Sequence, residues 1–162
     1  MANKKIPIFN NEIEMGLRIL IILNTTYPRS LDIELINYYD YFSLHTADIG
    51  GEESLHSPVP NRFGELSVKR AIIQKSLNYL LLKGLIEQTF TKNGIEYIAS
   101  EITSPFIDNL NENYTLSLID KVKWVCDKFQ NYSFSEIKEY VNTNQEKWGS
   151  EVSFCSIGFI NE

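Results

Sequence analysis

The chain has 162 residues, which suits one domain of ordinary size with room for a real core. Hydrophobic residues make up 43%, which excludes a disordered chain. Fifteen basic against 21 acidic side chains give a net charge of -6, which argues against an autonomous nucleic-acid binder, whose balance is usually basic. The longest apolar run, residues 19–23, is far too short to span a bilayer. Residues 1–10 carry two lysines but no apolar region or cleavage site of a signal peptide. The expected location is the cytoplasm, with no membrane partner. Cys126 and Cys155 fit a reducing compartment as buried thiols.

Residues 1–9 form an arm whose Ile6, Ile8 and Phe9 are candidates to tuck onto the core. Asn11 is placed to cap a first helix, with Glu14 three residues on as in a capping box. The end of that helix is apolar all round (Ile19, Ile21, Ile22, Leu23), so it is expected to be central and buried. Tyr27-Pro28 ends it, because the residue before proline is pushed out of the helical region. Ser30 or Asp32 caps a second helix running to about residue 44. Its run Tyr38, Tyr39, Tyr41, Phe42 is aromatic on several sides. Core packing is the first reading, and contact of the outward members, Tyr41 among them, with a partner protein is the second.

Residues 45–66 come next, reading HTADIGGEESLHSPVPNRFGEL. Gly50-Gly51, Pro58 and Pro60 exclude a continuous helix, and Val59 before Pro60 is held extended. A connection of this length without secondary structure is usually functional or disordered. Its Gly, Pro and His content predicts an ordered, functional loop. A third helix is expected over residues 65–83, with Ile73, Leu77 and Leu80 buried and Gly84 at its end. Residues 86–92 and 95–99 read as strands of a hairpin with Asn93-Gly94 between them. Ser104-Pro105 restarts a helix with proline at its first position. A longer helix over residues 115–130 carries a seam of Leu118, Val122, Val125 and Phe129. Ser133 and Glu136 form a capping box for a last helix bearing Ile137 and Val141, and the stretch after Trp148 is apolar.

Three helices and then an Asn-Gly hairpin is the order of a winged helix-turn-helix. The expected fold class is mainly α with a small β-hairpin (α+β): a winged-helix-like core over residues 1–103 with the inserted loop 45–66, and a C-terminal helical extension over 104–162 packing on it. The third helix and its approach carry Arg62, Lys69, Arg70, Lys75 and Lys83 against the single acid Glu65. Of these, Arg62, Lys69, Arg70 and Lys75 are candidates to contact DNA phosphate or an acidic partner. One departure is plain: a DNA-reading helix-turn-helix joins its helices by about 3–4 residues, and this connection is several times longer.

Five segments together resemble a known family. They are GLRILIILNTTYP, LDIELINYYDYFSLHTADIGGEESLHSPVPNRFGEL, VKRAIIQKSLNYLLLKGLIE, FTKNGIEYIAS with its exit ITSPF, and a fainter KWGSEV. The most specific parts are His45-Thr-Ala-Asp48 with Gly50-Gly51, Ser54-Leu55-His56 with Pro58 and Pro60, and Gly64-Glu65-Leu66. The chain resembles a middle component of ABC three-component systems, in particular the small accessory subunit of Lamassu-type bacterial defence systems. The resemblance implies an adaptor without catalytic activity or cofactor. Its implied partners are an SMC-like or Rad50-like ABC ATPase and an effector, often a nuclease, with DNA reached through the complex. The loop then becomes a structured surface against the ATPase or effector, with His45, Asp48, His56, Arg62, Glu65 and Tyr41 as interface candidates.

Other chemistries fit the same residues less well. His45, Asp48 and His56 match no closed zinc spacing, and no cysteine is near. Ser43 or Ser54 with His56 and Asp48 would make a hydrolytic set, but no nucleophile elbow surrounds either serine. The chain has no phosphate loop and no GxGxxG, so nucleotide chemistry falls to a partner. The alternative function is a winged-helix DNA-binding transcriptional regulator, normally a dimer on a palindromic site.

Overall fold

A computed structural model describes residues 11–58 and 62–149. The expectations for Ile6, Ile8 and Phe9, for Val59 before Pro60, for Cys155 and for the apolar stretch beyond Gly149 lie outside those residues.

Helix α1 spans Glu12–Thr26, and the Asn11 side chain accepts from the Ile13 and Glu14 backbone nitrogens at its start. The Glu14 carboxylate, expected to complete a capping box, lies 3.3 Å from Arg18 Nη1. The chain leaves the helix at Tyr27, and the Tyr27-Pro28 peptide is cis. Met15 and residues 19–23 are all buried, as an apolar girdle requires, and α1 packs against α4, α6, α2, β2 and α5, defined below. Helix α2 spans Ile33–Leu44; of the two cap candidates Asp32 is the one used, accepting from Leu35 N. Tyr38, Tyr39, Tyr41 and Phe42 are all buried, so the aromatic run belongs to the core and leaves no outward member.

The third helix is divided. α3 covers Glu65–Val68 and α4 covers Arg70–Leu82, with Lys69 between them in a near-helical conformation (φ -77°, ψ -19°). It ends as expected at Gly84 (φ +69°), where Gly84 N donates to Leu81 O and Leu85 N to Leu80 O, the paired bonds of a Schellman motif. Strands β1 (Ile86–Thr91) and β2 (Gly94–Ala99) pair antiparallel from Ile86 opposite Ala99 to Thr91 opposite Gly94. The turn is therefore Lys92-Asn93, one residue earlier than expected, and Gly94 (φ +120°) opens β2. Leu31, between α1 and α2, adds a short third rung: its N–H donates to Tyr97 O at 2.9 Å, and Tyr97 N returns the bond at 2.8 Å.

Helix α5 spans Thr103–Asp108, so Pro105 stands third in it, where an N–H is still not needed. The earlier start is fixed by Thr103, whose hydroxyl donates to Leu85 O and accepts from Ser100 N. Helix α6 spans Asn113–Phe129, and its seam of Leu118, Val122, Val125 and Phe129 is fully buried against α1 and α2. Helix α7 spans Phe134–Asn144 with both halves of the Ser133/Glu136 capping box formed. Burial pushes the Cys126 thiol on α6 up to about 12, which keeps it protonated and unreactive at neutral pH. Among the described residues no helix is long and apolar enough to cross a membrane.

Phe129 ties α6 to α2, with its ring stacked on Phe42 at 4.9 Å and edge-on to Tyr140 at 5.3 Å. Phe129→Ala should cost about 3–5 kcal/mol, measured as the shift of a urea unfolding curve at unchanged slope.

Candidate functional site

The loop after α2 is held from within. His45 N bonds to Tyr41 O, a 3₁₀ turn covers Thr46–Ile49, and Gly50 closes it in the left-handed region at φ +81°. Gly51 has a different reason to be glycine. A Cβ there would stand 2.7 Å from the Trp124 ring of α6 and 3.0 Å from Thr46 O, so any side chain would force the indole to shift. Three bonds lace the turn to its neighbours in the chain: Thr46 Oγ1 donates to Glu52 O at 2.9 Å, Ala47 N to Ser54 Oγ at 3.1 Å, and His56 N to Leu44 O at 3.2 Å.

Asp48 is the hub of this lacing. Tyr41 donates its hydroxyl to Asp48 Oδ2 at 2.7 Å, and Arg62 grips both carboxylate oxygens through Nε (2.6 Å) and Nη2. The fork matches the carboxylate plane, the geometry in which arginine binds most firmly. Trp148 Nε1 donates to Asp48 O at 3.2 Å, and its ring lies 5.0 Å from Tyr41 and 5.9 Å from Phe63. Burial and the Asp48 acceptor both push the Tyr41 hydroxyl up, so it remains a donor.

A second, deeper cluster adjoins it. Asp40 of α2 has no solvent exposure, yet it accepts from Arg18 Nε of α1 at 2.5 Å and from Lys69 Nζ at 3.2 Å. Lys69 also lies 3.3 Å from Glu65 Oε2. Burial alone would raise the Asp40 carboxyl, but Arg18 and Lys69 outweigh it and hold the group below the usual carboxylate range. His45 is buried beside this cluster with Nε2 3.8 Å from Glu65 Oε2 and its ring 4.8 Å from Tyr41. His56 stands 6.3 Å from the His45 ring and shares a 3.0 Å bond with the Tyr114 hydroxyl of α6. Burial first, then the charges of Arg18, His45 and Lys69, hold His56 below its ordinary value.

The interface candidates are thus brought together, mostly inside the protein. Tyr41, Asp48 and Arg62 form one cage, and His45, Glu65 and Lys69 meet in the next. Arg62 and Lys69, expected among the contacts to phosphate or an acidic partner, are only 3% and 4% exposed and bonded to internal acids. Arg70 and Lys75 remain outside, with Lys75 Nζ 3.7 Å from Glu12. The hydrolytic set is not assembled: Ser43 is buried with its hydroxyl on Tyr39 O, and the Ser54 hydroxyl takes Ala47 N. Among the described residues no group of His, Cys, Asp and Glu could hold a metal ion. Sequence reasoning missed Arg18, Asp40, Tyr114 and Trp148. A lone charge inside an apolar run, as Arg18 in GLRIL and Asp40 in YYDYF, is the signal that announces a buried pair.

Asp40→Ala removes the buried counter-charge shared by Arg18 and Lys69 and should cost about 3–5 kcal/mol. The triple replacement Arg18→Met, Asp40→Leu, Lys69→Met should recover much of that loss in the same denaturant titration. A second expectation concerns pH. Unfolded, His56 takes up a proton near 6.5, and folded it does so only at lower pH, so the unfolded state binds more protons as pH falls through that value. The thermal midpoint should therefore decline from pH 7 toward pH 5. A further decline below about pH 4 should follow as Asp40 protonates in the unfolded chain. His56→Gln should flatten the first decline and leave the second.

The family model described as ABC-three component (ABC-3C) system Middle Component 2 matches residues 8–151. No curated protein and no solved structure matches the chain. The family match takes in the caged loop, the divided third helix, the hairpin and all the helices beyond it. The chain belongs to the Middle Component 2 family of ABC-three component systems.

Proposed function

We propose that this chain is a non-catalytic adaptor that bridges an SMC-like or Rad50-like ABC ATPase and an effector nuclease. It holds the effector inactive until the ATPase senses foreign DNA, in a defence system of the Lamassu type. The observation that carries this reading is the family match over residues 8–151, since a middle component works with the other components of its system. The geometry supports it in two respects. α1, the Leu31 rung, α2, the third helix and the β1–β2 hairpin succeed one another in the order of a winged helix, a scaffold suited to presenting surfaces. The described part of the long loop between its second and third helices is held by the bidentate Arg62–Asp48 pair, which favours a fixed shape for a partner at little ordering cost.

The alternative, a DNA-binding regulator, loses two of its four phosphate-facing residues, because Arg62 and Lys69 are bonded to Asp48 and Asp40. Lys83 lies over the Tyr79 ring at 5.5 Å, and Lys75 is beside Glu12. Arg70, Lys75 and Lys83 are left on the surface, so the phosphate-neutralising run is reduced rather than removed.

Co-expression with the ABC ATPase and effector encoded beside it should yield a three-part complex that copurifies through a tag on this chain. Omitting this chain should release the effector's activity without foreign DNA. Recovery of this chain alone, while the other two assemble and remain silent without it, would sink the proposal.

A further inference from the structure

Residues 67–83, most of the third helix and its end, contain no acid, although the chain carries 21. Lys69 turns inward, while Arg70, Lys75 and Lys83 stay on the surface. Arg70, Ala71, Gln74, Lys75 and Asn78 are all exposed and recur at helical spacing, so they share the outer face of α4. Gln74 Nε2 donates to Asn78 Oδ1 at 3.3 Å, which sets the two amides together on that face. Lys75 has a surface partner in Glu12 at 3.7 Å. With the two side chains 68% and 55% exposed, such a pair is weak and leaves the ammonium free to exchange partners. β1 packs against α4, and the exposed hairpin turn adds Lys92 and Asn93.

The chemistry of this face selects what meets it. The apolar side chains of residues 150–162, Phe154, Ile157 and Phe159 among them, gain nothing on a polar surface, and Lys4 and Lys5 of residues 1–10 bring like charge. A second copy related by a two-fold axis sets cation toward cation. The core of a protein–protein contact is enriched in aromatic residues and Met and depleted in Lys, Ser and Ala. The most exposed apolar side chains of the third helix, Val68 and Leu82, stand about 21 Å apart along it, too far to make one patch. Base edges, by contrast, are read by arginine on guanine, by Asn or Gln amides on adenine and by Ala against the thymine methyl, with cations on phosphate. The α4 face carries that set. Its few cations fall short of the roughly 6–10 phosphate contacts of a strong binder, and a net charge of -6 repels a duplex, so the contact needs the rest of the complex. We infer that the outer face of α4 contacts duplex DNA through Arg70, Gln74, Lys75 and Asn78 once the assembled complex brings the duplex there. This rests on the adaptor reading and gives the chain a direct part in DNA contact.

The test uses the complete complex with the co-encoded ATPase and effector and a short duplex labelled at one end. A photo-crosslinking p-benzoylphenylalanine at position 71 or, separately, at position 78 should form an adduct with the duplex on illumination. In anisotropy titrations, Arg70→Ala combined with Lys75→Ala should weaken binding of the duplex by the complex at least tenfold. The slope of log affinity against log salt should become shallower by about 2, the loss of two phosphate contacts. Copurification of the three components should stay as it is. Lys123→Ala, on the exposed side of α6, should leave affinity and slope unchanged. An adduct with the ATPase, the effector, a second copy, residues 1–10 or residues 150–162 in place of the duplex overturns the inference, as does no adduct at all. Unchanged affinity in the double variant, or loss of copurification, overturns it too. In each of those cases the wild-type complex still forms and the adaptor reading stands. If the wild-type chain brings down no component at all, both fail together.

Discussion

Asp40 sits where α1, α2 and the junction of α3 and α4 cross, with no water to share its charge. A lone carboxylate in that position would be neutral or would break the packing. Two cations from two other helices keep it ionised, and in doing so they fix how those helices lie. Lys69 is the costlier recruit. It is withdrawn from the surface of the third helix, at the place where that helix is interrupted, and it draws Glu65 after it. His45 then packs against Glu65 and Tyr41, and the loop leaves α2 from that point. One buried charge thus decides the helix crossing, the character of the third helix and the root of the loop.

Local chemistry carries the helices and the hairpin. Asn11, Asp32 and Ser133 cap where their side chains predict, because an N-cap is settled by a few neighbouring residues. The α6 seam is equally plain, since four apolar residues at helical spacing have one way to hide. The interior ion pairs are not legible in that way. Arg18 and Asp40 are 22 residues apart and Asp40 and Lys69 are 29 apart, so only the folded chain makes them neighbours. The basic run reads as one outward stripe when residue type is counted without direction. In the structure Lys69 turns inward while Arg70, its neighbour, stays in solvent. The order of the loop is foreseeable from its composition, and its cage is hidden for the same reason of distance: Asp48 is closed by Arg62 and by Trp148 from the far end of the described chain.

The result is an unusual division of labour between inside and outside. Charged and aromatic-polar groups, which most proteins leave to solvent, are spent on holding a loop and three helices rigid. Apolar side chains such as Ile13, Val68, Leu82 and Phe90 are left in water. For an enzyme, buried polar groups near a cleft suggest chemistry. Here Asp40, Asp48, Arg18, Arg62 and Lys69 pair with one another, while His45 Nε2 is buried without a hydrogen-bond partner. Membership of a family whose components act together gives that arrangement its sense, because rigidity within one subunit lowers the entropy lost when subunits join.

The bond from Trp148 to Asp48 spans 100 residues of chain. During synthesis, the loop emerges from the ribosome long before the tryptophan that finishes its cage, and translation proceeds at about 5–20 residues per second. For several seconds the nascent chain has its first helices but lacks the stacked indole that backs Tyr41 and the backbone of the 3₁₀ turn. The loop surface is therefore completed only when nearly the whole described chain is out. The closing of the Asp48 cage is thus a late event of folding, set by where Trp148 falls in the chain.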